Sequence, residues 1–298
     1  MRHFDFLGKA KYFVPMSLAL ILISVIVLIP GVRGLRMGID FTGGMEFTVM
    51  FTEPVATADV RSALAGIDAG TVDLAKSTIQ DAEGNKKIIT SQLSDSDTAD
   101  EIVSMLQSTF PVADQGISRR FIGQQVSREL AQKGWQAILL ALVAILVYVS
   151  WRFRLRYAIG AVVALVHDVT IALGVFAIFH VEVNLATIAA FLTIVGYSLN
   201  DTIVIFDRIR ENMKVERRKT VFDIINLSVN QSLSRTLNTS ITTLIPVAIL
   251  FFFGGAVLRG FSLALLIGVI VGTYSSMYIA NPILYAWTKR ARGAKSTR

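Results

Sequence analysis

With 298 residues, 53% of them hydrophobic and only 17% charged, the chain is too apolar for an ordinary soluble protein. Polar stretches interrupt it too often for a bare helical bundle, so it reads as an integral membrane protein with one soluble insert. The formal net charge of +7 invites a nucleic-acid reading, but the basic residues are spread unevenly in a way that membrane topology explains, and no nucleic-acid partner is expected. The absence of cysteine excludes disulfides, thiolate metal ligands and cysteine catalysis, and His3, His167 and His180 are not spaced as a zinc site.

Tyr12 to Ile29 is an apolar run preceded by Arg2, Lys9 and Lys11. Its length suits a membrane span of about 20 residues, and Pro30-Gly31-Val32-Arg33 offers no small-x-small cleavage site, so it is read as an anchor and not as a signal peptide. The polar segment that follows, residues 33–133, reads as a small α+β domain. Met45 to Thr52 alternates like a strand, and Thr57 is expected to cap a helix running to Ala65. Thr71 to Ile79 and Lys86 to Leu93 flank the turn Asp81-Ala82-Glu83-Gly84-Asn85 as a hairpin. Asp97 to Phe110 reads as a helix and Gly116 to Ile122 as a last strand. The order βαββαβ is that of a ferredoxin-like fold, with two helices on one face of an antiparallel sheet.

The stretch Gln124 to Lys133 is expected to lead directly into a second span, Ala137 to Trp151. Four more follow: Tyr157 to Phe179, Leu185 to Phe206, Leu237 to Phe253, and Phe261 to Trp287. The chain therefore divides into residues 1–32 (N-terminus and first span), 33–133 (external domain), 134–288 (spans two to six) and 289–298 (basic tail). Basic residues set the orientation. Arg2, Lys9, Lys11, Arg152, Arg154, Arg156, the segment from Arg208 to Lys219, Arg235, and Lys289, Arg290, Arg292, Lys295 and Arg298 all fall on one side, against Arg259 alone in the short opposite loops. Both termini are then cytoplasmic, and the insert, with 10 Lys and Arg against 14 Asp and Glu, lies outside, in the periplasm of a bacterium.

The stretch Thr187 to Arg210 places Asn200 and Asp201 inside an apolar span. A carboxylate near the middle of a spanning helix costs roughly 2.5 to 3.5 kcal/mol, so it faces a bundle interior and belongs to an ion path, a proton relay or a buried pair. Steps of one helical turn connect Asp201 to Tyr197 and Thr193, with Asn200 and Gly196 beside them, which predicts one inward polar face. A structural hydrogen bond to a neighbouring helix is the plainer reading of the same residues. His167 and Asp168 lie near the middle of the third span, and Arg235, Asn238, Thr239 and Thr242 form a stripe entering the fifth. Asp201 lies roughly 8 Å from its cytoplasmic helix end, near the expected level of Arg235, whereas Asp168 lies roughly 17 Å in. An arginine at the start of a span can equally snorkel to the cytoplasmic surface; matched depth allows a contact between Asp201 and Arg235, Asp168 is left apart, and the proton is the coupling ion, with no other cofactor and no metal. Gly268, Gly272, Ser276 and Ala280, four apart in the last span, form a small-residue ridge for close approach of another helix, from a partner or from the chain itself.

Several of these stretches resemble the SecF family, the smaller of the paired SecD and SecF membrane proteins that assist bacterial protein export. They are Gly38-Ile39-Asp40-Phe41-Thr42-Gly43-Gly44, His167-Asp168-Val169, Gly196 to Thr202 with Asp207 to Asn212, and Leu233 to Ser240. The chain differs at Gln124, where the family often has Pro, and at Ser127, where it often has Gly. The resemblance implies half of a transporter of the proton-driven RND type in the inner (cytoplasmic) membrane. It implies Asp201 and Arg235 as proton-pathway residues, and SecD, the SecYEG channel, YajC, the YidC insertase, a translocating polypeptide and membrane lipid as partners. It implies no enzymatic activity. Two other readings are half a drug or lipid exporter and a structural clamp for SecD. An intramembrane aspartyl protease would need Asp168 and Asp201 to share a proton.

Overall fold

The computed structural model describes residues 4–296 apart from Asp68, Gly70, Thr71, Glu83, Ser94 and Arg154, with side chains described as far as residue 290. Arg2, His3, Arg154 and Arg298, the side chains of Arg292 and Lys295, the expected strand start at Thr71 and the turn residue Glu83 lie outside the described residues. Helix α1 spans Phe6–Leu28 and starts at Asp5, whose carboxylate accepts from the Gly8 amide at 2.8 Å. A two-residue strand β1 (Arg36–Met37) and a single turn α2 (Ile39–Thr42) lead into the sheet domain.

That domain runs β2 (Gly44–Phe51), α3 (Thr57–Leu64), a 3₁₀ turn at Leu74–Lys76, β3 (Thr78–Ala82), β4 (Lys86–Ser91), α4 (Ser96–Thr109) and β5 (Val112–Ile122). The sheet order is β3-β4-β2-β5 with every neighbour antiparallel, the topology expected of a ferredoxin-like domain. Period-two alternation puts Met45, Phe47, Val49 and Phe51 of β2 on one face, where they pack with Val60 and Leu64 of α3 and Ile102 and Leu106 of α4. Thr57 differs from expectation: Ala56 holds the N-cap position, and the Thr57 hydroxyl donates to Asp81 at 3.2 Å while accepting from Lys87 at 2.8 Å. The nearly buried Lys87 ammonium needs oxygen partners, and that need outweighs a helix cap. The second strand starts at Thr78, later than expected, because the residues before it close the 3₁₀ turn that Asp73 caps.

Six helices long and apolar enough to cross a membrane are present among the described residues, which makes this a multi-pass membrane protein. Helix α5 (Gln124–Arg152) runs unbroken from the end of the four-stranded sheet into the second span. Then come α6 (Leu155–Ile178), a short strand β6 (Glu182–Val183), α7 (Leu185–Val215), α8 (Val221–Phe253), α9 (Gly255–Tyr278) and α10 (Ala280–Ser296). Helices α8 and α9 are separated by Gly254 alone, and the corner needs Gly255 at φ +72°, where a side chain would be strained. The last span, expected as one helix, breaks at Ile279 between α9 and α10.

The sheet domain meets the bundle through a small set of contacts. Strand β1 pairs in parallel with β6, joining Arg36 to Glu182 and Met37 to Val183. Gln80 of β3 donates to Glu182 at 3.3 Å, and Arg120 of β5 pairs with Glu46 at 3.2 Å and with Asp40 at 3.7 Å. Burial pushes the Glu182 carboxyl above the ordinary range, and Glu46 and Asp40 add repulsion against the opposite pull of Arg36 and Arg120. A raised value means the docked junction holds the proton more tightly than the open one. Its stabilising effect is complete below the ordinary carboxylate pKa and is lost as pH rises through the raised value. Amides of residues 78–82 are therefore expected to gain hydrogen-exchange protection on acidification, and Glu182→Gln to flatten that response. A response unchanged in Glu182→Gln would assign it to another group.

Candidate functional site

Helix α7 is fixed at its N-terminus by a reciprocal cap: Asn184 accepts from the Thr187 amide at 2.9 Å, and Thr187 accepts from the Asn184 amide at 2.8 Å. From there the helix carries Ser198, Asp201 and Thr202 into the bundle, where all three are buried. Asp201 is only 3% exposed, with Thr239 and Ser240 of α8 beside its carboxyl and the positive potential of Arg235 reaching it. Its Oδ2 is enclosed and accepts no hydrogen bond among the described residues. Arg235 forms no ion pair with Asp201 among the described residues, and its side chain is exposed on the flank of α8.

The single inward polar face expected for α7 is instead split in two. Ser198, Asp201 and Thr202 turn inward, Tyr197 is half-buried with its hydroxyl enclosed and unpaired, and Thr193, Gly196 and Asn200 are exposed. The reason is angular: residues at i and i+1 lie about 100° apart, so Asn200 and Asp201 cannot both point to the centre of a bundle that packs on one side of the helix. On α8, Thr239 is half-buried while Arg235, Asn238 and Thr242 are exposed. Two adjoining helices therefore present amide, hydroxyl and guanidinium groups to the outside at membrane depth, next to a buried carboxylate.

Asp168 is fully buried and well satisfied. Its Oδ2 accepts from Ser198 at 2.5 Å and from Ser275 at 2.8 Å, and its Oδ1 bonds His167 Nδ1 at 2.8 Å. The expected height gap from Asp201 is too large, since Ser198 stands one turn from Asp201 on the same helix. The expectation ended the cytoplasmic part of α7 at Phe206, whereas the helix continues to Val215. No hydrogen bond joins the two carboxyl groups among the described residues, so the shared-proton arrangement a protease would need is not formed. His167 stacks on Tyr274, centroids 6.1 Å apart, and the Tyr274 hydroxyl donates to the Phe13 carbonyl at 2.8 Å and bonds Ser17 at 2.7 Å. This network ties α1, α6, α7 and α9 together. Sequence reading missed Ser17, Ser198, Ser240, Tyr274 and Ser275, because hydroxyls in an apolar run can bond their own helix backbone and carry no signal of a cross-helix partner.

Gly268, Gly272 and Ser276 face inward. A Cβ added at Gly268 would strike Ile194, one at Gly272 would stand 3.1 Å from Ser198, and Ser276 is fully buried. The ridge is a contact between α9 and α7 of the same chain. No three His, Asp or Glu side chains converge as a metal site among the described residues.

Comparison with known proteins places these features. Residues 101–290 match a family described as protein export membrane protein SecD/SecF, C-terminal, and residues 29–55 match the SecD/SecF GG motif. The protein translocase subunit SecF of Desulfurispirillum indicum is 43% identical over 298 residues, covering 97% of this chain and 93% of that protein. That of Magnetococcus marinus is 46% identical over 287 residues, covering 95% and 91%. A crystal structure of SecDF, a translocon-associated membrane protein from Thermus, superposes with a TM-score of 0.86 at 34% identity. It covers 97% of this chain and 39% of that one, so the chain spans about two-fifths of the solved SecDF length. SecDF in a super-membrane-facing form gives 0.71 at the same 34% identity, covering 100% and 40%. With a buried carboxylate beside an outward polar strip, a four-stranded sheet domain and relatives matched over more than nine-tenths of their length, the chain belongs to the SecF family of SecD/SecF protein-export membrane proteins.

Proposed function

We propose that the chain is a non-enzymatic subunit of the bacterial protein-export machinery. It pairs with SecD in the inner membrane and uses the proton-motive force to drive or complete polypeptide translocation at the periplasmic face. The single observation that carries this reading is Asp201: a carboxylate sealed in the bundle with one oxygen unpaired, within electrostatic reach of Arg235 but free of an ion pair with it. Such a group has two competing environments, since desolvation favours its protonated form and approach of the guanidinium its charged form. Rocking of α7 against α8 changes which one prevails. A proton crossing the membrane supplies about 2.3 kcal/mol per 100 mV, enough for a domain movement outside.

The exposed polar strip of α7 and α8 supports a membrane partner. Against lipid, Asn200, Asn238 and Arg235 would be costly, and against a second six-span unit they would be covered. SecD is that unit in this reading, consistent with the SecDF chains of which this one matches two-fifths. In this reading both termini are cytoplasmic and the sheet domain is periplasmic, which the uneven distribution of basic residues supports. SecYEG, YajC and YidC are the further partners of the same reading, and the proton is its coupling ion.

The test uses inverted inner-membrane vesicles with and without the chain, each with and without a proton-conducting ionophore. The chain is expected to raise export of a model polypeptide only while the proton gradient stands. Equal stimulation after ionophore would overturn the reading in favour of a structural clamp.

A further inference from the structure

Asp40 sits where the chain turns from the membrane into the external domain, four residues before β2. It is 7% exposed although it belongs to a short connecting turn. Its Oδ2 accepts from the backbone amide of Leu185 at 3.0 Å, a residue 145 positions away. Leu185 is the first residue of α7, so this bond occupies one of the amides that a helix start leaves unpaired. The amide of Thr187 is already taken by the Asn184 side chain, so Asp40 adds a second cap that comes from outside the helix. The other oxygen of Asp40 faces Arg120 at 3.7 Å, on the sheet of the external domain.

We infer that Asp40 is the positioning residue through which a displacement of α7, the helix that carries Asp201, is transmitted to the external domain. This rests on the proton-coupled reading given above. Three features make Asp40 the point of transmission. Its two carboxylate oxygens reach the α7 terminus on one side and the guanidinium of Arg120 on the other. It is held by a short path to β2, because Gly43 donates back to the Ile39 carbonyl at 2.9 Å and closes the intervening turn. Beside it lies a cavity of about 1160 Å³ lined by Arg36, Gln80, Arg120, Glu182 and Arg259 as well as Asp40. A domain joined to a helix end by a few polar links beside a cavity follows that end when it moves. The negative charge of Asp40 also lies at the positive end of α7, which strengthens the link.

The test removes the bond from each side in turn. Asp40→Ala removes the acceptor. Leu185→Pro removes only the donor, because proline is tolerated at the first position of a helix and Asn184 before it is already extended, with φ −125° and ψ −178°. In inverted vesicles carrying this chain with its SecD-type partner, each variant is expected to lower the gradient-dependent part of export about three- to ten-fold, a range typical of residues that carry coupling between sites. The gradient-independent part should stay, and the double variant should be no worse than either single one. Asp40→Asn, which keeps an acceptor oxygen, should retain more of the gradient-dependent part than Asp40→Ala. A fall in export without the gradient equal to the fall with it would mark a merely structural role and overturn the inference. Native gradient dependence in Leu185→Pro would do the same, and that variant decides the matter if Asp40→Ala fails to accumulate. Asp201→Asn run alongside separates the two levels. Loss there with native behaviour in Leu185→Pro overturns the Asp40 link alone, whereas native behaviour in Asp201→Asn overturns the proton reading and the link with it.

Discussion

Asp201→Asn is expected to abolish the part of polypeptide export that depends on the proton gradient while leaving the chain assembled. The two side chains are nearly isosteric, so packing around a residue that is 3% exposed is conserved. On the proposed proton-coupled reading, what changes is titration: the amide takes up and gives off no proton, and the energy of one charge moving through the membrane potential is lost. At 100 mV that energy is about 2.3 kcal/mol, so the gradient can speed export by up to about fifty-fold, and that acceleration is what the variant should lose. Asp201→Glu keeps the acid but adds a methylene to a closed site, and an intermediate rate is expected. Arg235→Ala should also lower the gradient-dependent rate, since the charged form of Asp201 loses the guanidinium that favours it. Arg235→Lys should recover part of it, because a cation remains without the planar fork. Rates measured in inverted vesicles at matched membrane content check the series. A gradient-dependent rate in Asp201→Asn within two-fold of native would remove Asp201 from the mechanism.

The layout of the chain is legible in its residues because each part rests on a strong local signal. Apolar runs long enough to span, turn residues between alternating strands, and a carboxylate in an apolar helix each follow from elementary energetics. Two boundaries differ: Thr57 gives up a cap to serve Lys87, and Ile279 divides a span that composition alone would leave whole. Rotation about a helix axis is harder to read. The stretch around Asn200 and Asp201 is polar over three consecutive residues, Ser198 excepted by Leu199, and periodicity alone cannot decide which of them the bundle receives. The structure gives Asp201 to the chain's own interior and Asn200 to its outside. The junction was less visible still, since the contact between Asp40 and Leu185 joins residues 145 positions apart and neither has an unusual local setting.

The glycine ridge illustrates the same division between what a pattern says and what it packs against, and it gives the sharpest stability test. Small residues four apart announce a close helix approach in a membrane, where packing replaces the hydrophobic effect as the force between helices. They do not announce the partner. Here α9 uses Gly268 and Gly272 to approach α7 at Ile194 and Ser198, so close that a Cβ at Gly268 would meet the Ile194 side chain. Gly268→Leu must then push α7 and α9 apart, costing about 3 kcal/mol, the upper part of the usual range for overpacking. It would also disturb Asp168, whose acceptors draw Ser198 from α7 and Ser275 from α9. The expected result is a large loss of heat stability in detergent, partly restored by adding Ile194→Ala, because the two residues occupy the same space. Gly196 provides the contrast. It lies on the outward face of α7 with nothing within 4 Å of an added Cβ. Gly196→Leu should leave the isolated chain as stable as before and weaken its association with the SecD-type partner, measured by co-purification. If Gly268→Leu is as stable as the native chain while Gly196→Leu unfolds it, the inward and outward faces of α7 have been assigned the wrong way round.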